Sequence, residues 1–194
     1  MLFGAVDPEL RPGARNAIET CLAVRRGERV ALIADEASRE VAASLEDALA
    51  ARGAIADCVL IEAVAPRPMT TPPEAVLSAI ERADAGILCV QPQEGELAAR
   101  MAIVALVERR RIRYAHMIGV TPRIMREGMR ADYELVDRLS QQLCERMRTA
   151  ATLSVRTPSG TAFTATFDRS TATPHKRAVR SLEPIAKRCR PKRV

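Results

Sequence analysis

Four short apolar runs recur through the first two thirds of the chain, and each is separated from the next by a stretch of helical length. They are RVALIAD (29–35), ADCVLIEA (56–63), AGILCV (85–90) and RYAHMIGV (113–120). Strands that alternate with helices predict an α/β fold, a Rossmann-like parallel sheet with helices on both faces and right-handed crossovers. The intervening segments carry the matching periodicity. After a turn at Arg11-Pro12-Gly13, residues 14–24 place Ala17, Ile18, Cys21 and Leu22 on one face. Ser38 is positioned to cap a helix through Ala51 with Val41, Leu45, Ala48 and Leu49 inward, and Gly53 stops it. The segment APRPMTTPP (65–73) holds four prolines and reads as a loop before a helix at 73–82. Residues 97–111 predict a helix with Leu97, Met101, Val104 and Val107 facing in. A short helix at PRIMREGM follows, and Asp132 caps another through Thr149, with Leu135, Leu139, Leu143 and Met147 at four-residue spacing.

At residue 152 the period changes. TLSVRT, PSG and TAFTATF read as a β-hairpin around a glycine turn. One hairpin cannot cover its own apolar face, so it reads as the start of an incomplete second domain. The expected organisation is an α/β domain over 1–150, the hairpin over 151–168, and a basic, disordered tail over 169–194.

The charge is lopsided. The chain has net charge +6, yet residues 169–194 hold nine Lys or Arg against Glu183 alone, leaving −2 for the first 168 residues. The high charge therefore belongs to the tail. No apolar run reaches 18 residues, which predicts no membrane span. The opening MLFGAVDPELRPGAR lacks a basic-then-apolar leader pattern. Cys21, Cys58, Cys89, Cys144 and Cys189 lie more than 30 residues apart, which argues against a structural zinc site and for reduced thiols in a cytoplasmic protein.

Several chemistries lack their motifs. No G-x-G-x-x-G follows the first strand, where ADEAS stands instead, and there is no P-loop or G-x-S-x-G elbow. His116 reads as a structural strand residue and His175 as a solvated one, so a catalytic metal site within the chain is not expected. Ligands of open parallel sheets lie beyond the carboxyl ends of the strands. Those ends carry Asp35 and Glu36, then Gln91 and Glu94, then Gly119 and Thr121. Asp35, Glu36, Gln91, Glu94 and Thr121 are the candidate cleft-lining residues. The competing reading makes Asp35 or Ser38, and Thr121, helix caps.

Three stretches together carry a family resemblance: RNAIETCLAVRRGERVALIADEASREVA, RYAHMIGVTPRIMREGMRADYELVDRL and TLSVRTPSGTAFTATF. They resemble the amino-terminal half of the aminopeptidase T family, thermophilic-type metallo-aminopeptidases often labelled leucyl aminopeptidase. The ring-opening dihydroxypyridine dioxygenases share that architecture. The resemblance runs over about residues 8–168, and H-M-x-G-x-T followed by G-M-x-A-D-Y is its most specific part. It implies release of N-terminal amino acids from peptides, with a divalent metal (Zn, Co, Mg or Fe) held in the second domain. The family's metal ligands and catalytic carboxylate lie downstream of the hairpin, and no position here matches them. No catalytic or metal residue is therefore assigned, and no cofactor is expected in this chain. Relatives often carry a His after the third strand, where this chain reads QPQEGELAAR. The basic ending suggests a truncated or frame-shifted gene.

Three functions compete on these grounds. The first is an inactive amino-terminal domain of an aminopeptidase-like metalloenzyme, whose intact relatives take a peptide or small-molecule substrate. The second is a small-molecule-binding or oligomerising scaffold of the dioxygenase-like branch, with self-association into a homo-oligomer covering Phe163 and Phe167. The third is a nucleic-acid module using the tail, which is disfavoured because that tail has no aromatic residue for stacking.

Overall fold

The computed structural model describes residues 1–167. The tail readings for 169–194, and residue 168 at the end of the hairpin segment, lie outside the described residues. The α/β architecture and the separate hairpin are both present. Four parallel strands, β1 (Arg29–Ala34), β2 (Ile55–Leu60), β3 (Ala85–Val90) and β4 (Arg113–Ile118), form a sheet in the order β2-β1-β3-β4. Helices pack on both faces: α1 (Arg11–Arg15), α2 (Arg39–Arg52) and α6 (Pro122–Arg126) on one, α4 (Glu74–Glu81) and α5 (Leu97–Arg110) on the other. A four-residue α3 (Ile61–Val64) follows β2. The chain divides into two compact units with the break after Ala131. The second unit contains α7 (Tyr133–Met147) and an antiparallel hairpin of β5 (Thr152–Arg156) and β6 (Ala162–Thr166).

Alternation along β1 builds two cores. Val30, Leu32 and Ala34 point into the layer beneath α1 and α2, while Ala31 and Ile33 point into the layer beneath α4 and α5. A strand buried on both faces needs apolar residues at every position, which is why VALIA (30–34) and AGILCV (85–90) run unbroken.

Three local readings change. Residues 11–13 form the start of α1 rather than a turn. Pro12 lies in its first turn, where a missing N–H costs nothing, and the helix runs on as a π-turn over Asn16–Cys21. Gly13 is required there by close approach, because a Cβ would lie 2.3 Å from the Met125 carbonyl oxygen of α6. Residues 61–63 leave the strand, since the ladder with β1 ends at the Ala34–Leu60 pair and a longer β2 would have no partner. They form α3 instead. On α5 the buried stripe is Ala99, Ile103, Leu106 and Val107, while Leu97 and Met101 are exposed. The inward face packs with Ala31, Ile33, Leu88 and Val90 of the sheet and with α4, and it is set around the helix from Leu97 and Met101 by the positions of Ala99, Ile103, Leu106 and Val107.

Candidate functional site

The strand order fixes where a ligand crevice would lie. The chain leaves β1 for the edge strand β2, then crosses β1 to enter β3 on its other side. The helices after β1 and β3 go to opposite faces, α2 to one and α5 to the other. The carboxyl ends of these two strands therefore part at a topological switch point. Asp35 directly follows β1 and Gln91 directly follows β3, so both border that crevice.

The crevice is filled from within. The proline-rich loop between α3 and α4 folds over the carboxyl edge and inserts the Arg67 side chain, which is 4% exposed. Its guanidinium lies between two fully buried carboxylates, Asp35 and Glu96. Nη1 donates to Asp35 Oδ2, and Nη2 donates to Glu96 Oε2 at 2.6 Å and to the Gln91 carbonyl at 2.7 Å. Nε donates to Glu96 Oε1 at 2.8 Å, a fork arrangement that only a planar guanidinium can make.

The two acids are saturated by further donors. Asp35 Oδ1 accepts from Ser38 N at 2.9 Å, and Oδ2 accepts from Gln91 N at 2.8 Å. Glu96 Oε1 accepts from Met69 N at 2.9 Å, tying the same loop down at a second point. Burial by itself would raise the Glu96 carboxyl, but the Arg67 guanidinium and the Met69 N–H outweigh it and hold the group below its ordinary value. Burial likewise works against the Arg67 charge, and its bonds to Glu96 and Asp35 more than offset it. Beside the cluster, burial and the Asp35 charge push the Cys89 thiol up to about 12 despite a bond with Ser38. That thiol is neutral near pH 7 and is no nucleophile.

The five cleft-lining candidates separate. Asp35 and Gln91 meet at Arg67, and Asp35 also caps the turn after β1. The Gln91 side-chain amide donates to Val120 O at 2.9 Å, joining the ends of β3 and β4. Glu36 is exposed and binds Arg39 at 2.6 Å, while its own N–H donates to Glu62. Glu94 is exposed on the loop before α5. Thr121 caps α6, accepting from Ile124 N at 3.3 Å. The sequence reading missed Arg67 and Glu96, the two residues that complete the cluster. The available signal was one arginine in a loop otherwise of prolines and small residues, and an acid directly before a helix. His116 is exposed on β4 beside Tyr114, with ring centroids 5.8 Å apart. Partial desolvation and the Arg100 charge lower its pKa.

The described residues do not fit the divalent metal that the family resemblance implies. The two acids that face each other hold a guanidinium where a bridging cation would have to sit. Among the described residues, no three His, Cys, Asp or Glu side chains converge on a common point.

These features define a class: a doubly wound α/β unit whose switch-point crevice is closed by its own ion cluster. No protein-family model and no curated protein matches the chain. Among solved structures it is loosely similar to wild-type AmpT from Thermus thermophilus, at 13% identity and a TM-score of 0.46 over 79% of this chain. The match spans 58% of that chain.

Proposed function

We propose that residues 1–131 serve as a non-catalytic supporting domain of an aminopeptidase-like protein. The observation that carries the reading is the filled crevice. The place where this architecture ordinarily receives a ligand holds Arg67, Asp35 and Glu96 in mutual contact, with every oxygen of the two acids accepting a hydrogen bond. The three sequence stretches that resemble the aminopeptidase T family supply the aminopeptidase part of the reading. Peptide hydrolysis in that family is the work of its second domain, so this unit contributes architecture rather than reacting groups.

The test is hydrolysis of Leu-p-nitroanilide by the purified chain with Co²⁺ or Zn²⁺ added. The expected result is a rate equal to that of metal and buffer alone. Turnover that saturates with substrate and disappears on chelation would overturn the reading.

A further inference from the structure

Strand β4 ends the sheet, and its side away from β3 has no partner strand among the described residues. The Gly119 N–H donates to the Val90 carbonyl at 2.9 Å, so Gly119 and every second residue before it, Met117 and Ala115, bond inward to β3. Tyr114, His116 and Ile118 therefore turn their N–H and C=O groups to the open edge. Their side chains share the sheet face that α5 covers, with Tyr114 buried, Ile118 half-buried and His116 exposed.

Helix α5 overhangs this edge. Arg100 and Arg109 are nine residues apart, on opposite flanks of the helix. Arg109 bonds Glu81 of α4 at 2.8 Å, so the Arg100 flank is the one beside β4. Next to Arg100, Leu97 and Met101 are 63% and 56% exposed, and Val104 is half-buried. Arg100 lacks an anion. Its Nε is buried without a partner, and Glu96, the acid one turn earlier, is committed to Arg67. Arg100 is the charge that acts on His116, and among the described residues no carboxylate counters it there.

We propose that the outer edge of β4 binds an extended, acidic segment of another protein as a fifth strand, with a carboxylate level with His116 and beside Arg100. The free N–H and C=O groups call for a strand. The pleat sets its pattern: residues two places either side of the acid share its face, beside Tyr114, Ile118 and the apolar shoulder of α5. The segment therefore reads apolar-x-acid-x-apolar. Charge excludes copies of this chain. A second β4 would set His116 against His116 and bring two Arg100 side chains together. The other edge strand, β2, has Asp57 between Ile55 and Val59, but Asp57 is already paired with Arg29 at 3.0 Å. Strands β5 and β6 hold no acid. The acids of residues 168–194 are Asp168 and Glu183, and neither has apolar residues two places away on both sides.

The isotope-labelled full chain is titrated with the capped peptide acetyl-Thr-Val-Thr-Glu-Thr-Val-Thr-amide and followed by nuclear magnetic resonance. The Tyr114, His116 and Ile118 amide protons are expected to shift downfield and exchange more slowly, with Kd about 0.1–1 mM. Replacing the peptide's Glu by Lys is expected to weaken binding at least ~10-fold, and Arg100→Glu to reverse that preference. His116→Pro removes one outward donor and keeps the inward ladder, as proline on an edge strand can, and is expected to abolish binding. His116→Ala keeps the backbone donor and is expected to weaken binding about threefold. Circular dichroism of each variant checks the fold, and Arg100→Glu carries the test if His116→Pro unfolds. No binding up to about 10 mM overturns the proposal. So does binding that leaves these three amides unmoved, or a Lys peptide held as tightly as the Glu peptide. A chain that sediments as a dimer, with the same amides protected before peptide is added, makes a second copy the occupant and overturns it too.

Discussion

Helices α5 and α7 differ by one residue in length and carry similar numbers of large apolar side chains, yet α5 buries four residues and α7 none. The difference lies in what each must connect. Helix α5 joins two parallel neighbours, β3 and β4, and a crossover between parallel strands has to lie against the sheet. Helix α7 opens the second compact unit and leads to an antiparallel hairpin, so it is no crossover between parallel strands. An apolar stripe states that a helix needs a cover, and the connections around it determine whether the same sheet provides one.

The comparison breaks first if the α/β unit is not held by its interior. Arg67→Ala leaves two buried carboxylates without their cation and is expected to lower unfolding stability by about 3–5 kcal/mol. Urea unfolding followed by circular dichroism measures it, and a loss below about 1 kcal/mol would show the cluster to be dispensable. Ile103→Ala on α5 is expected to cost about 2–5 kcal/mol in the same experiment, through lost burial and a residual cavity.

Acid sharpens the account of the cluster. Glu96 is held below its ordinary value by Arg67, so its pairing contributes fully above the unfolded value near 4.5 and is lost as pH falls through the folded value. Unfolding free energy measured from pH 7 down to pH 3 is therefore expected to fall below about pH 4.5. Glu96→Gln should be less stable at neutral pH and flatter across that window. An identical slope in the variant would mean that other acids set the dependence. The smallest effect belongs to α7. Leu139→Ala in dilute solution is expected to change stability by less than about 0.5 kcal/mol, because an exposed side chain has little burial to lose.

The two central strands were legible because burial on both faces demands continuous apolar residues, and AGILCV has no other comfortable reading. The phase of α5 was not. Leu97 and Met101 are larger than Ala99, so size alone points to the wrong face, and only the residues of β1, β3 and α4 that the helix packs with reveal the right one. Asp35 and Gln91 were legible as crevice residues because both follow strands directly. Arg67 was not, because its partners lie 32 and 29 positions away and the loop that carries it has no periodicity. Glu94 and Glu96 look alike in sequence. Only the folded loop distinguishes them, burying Glu96 against Met69 N and leaving Glu94 in solvent.

The inserted arginine also constrains how descendants of this chain can change. Losing Arg67 alone strands two anions, and losing either acid leaves the guanidinium short of a counter-charge, so every first step is downhill. A joint replacement of all three by apolar residues of similar bulk would be tolerated, since a satisfied ion cluster is no more stable than a well-packed greasy one. Drift therefore preserves the trio as a block long after any reason for it has gone, and a lineage regaining a vacant crevice would have to cross a fitness valley in one stride.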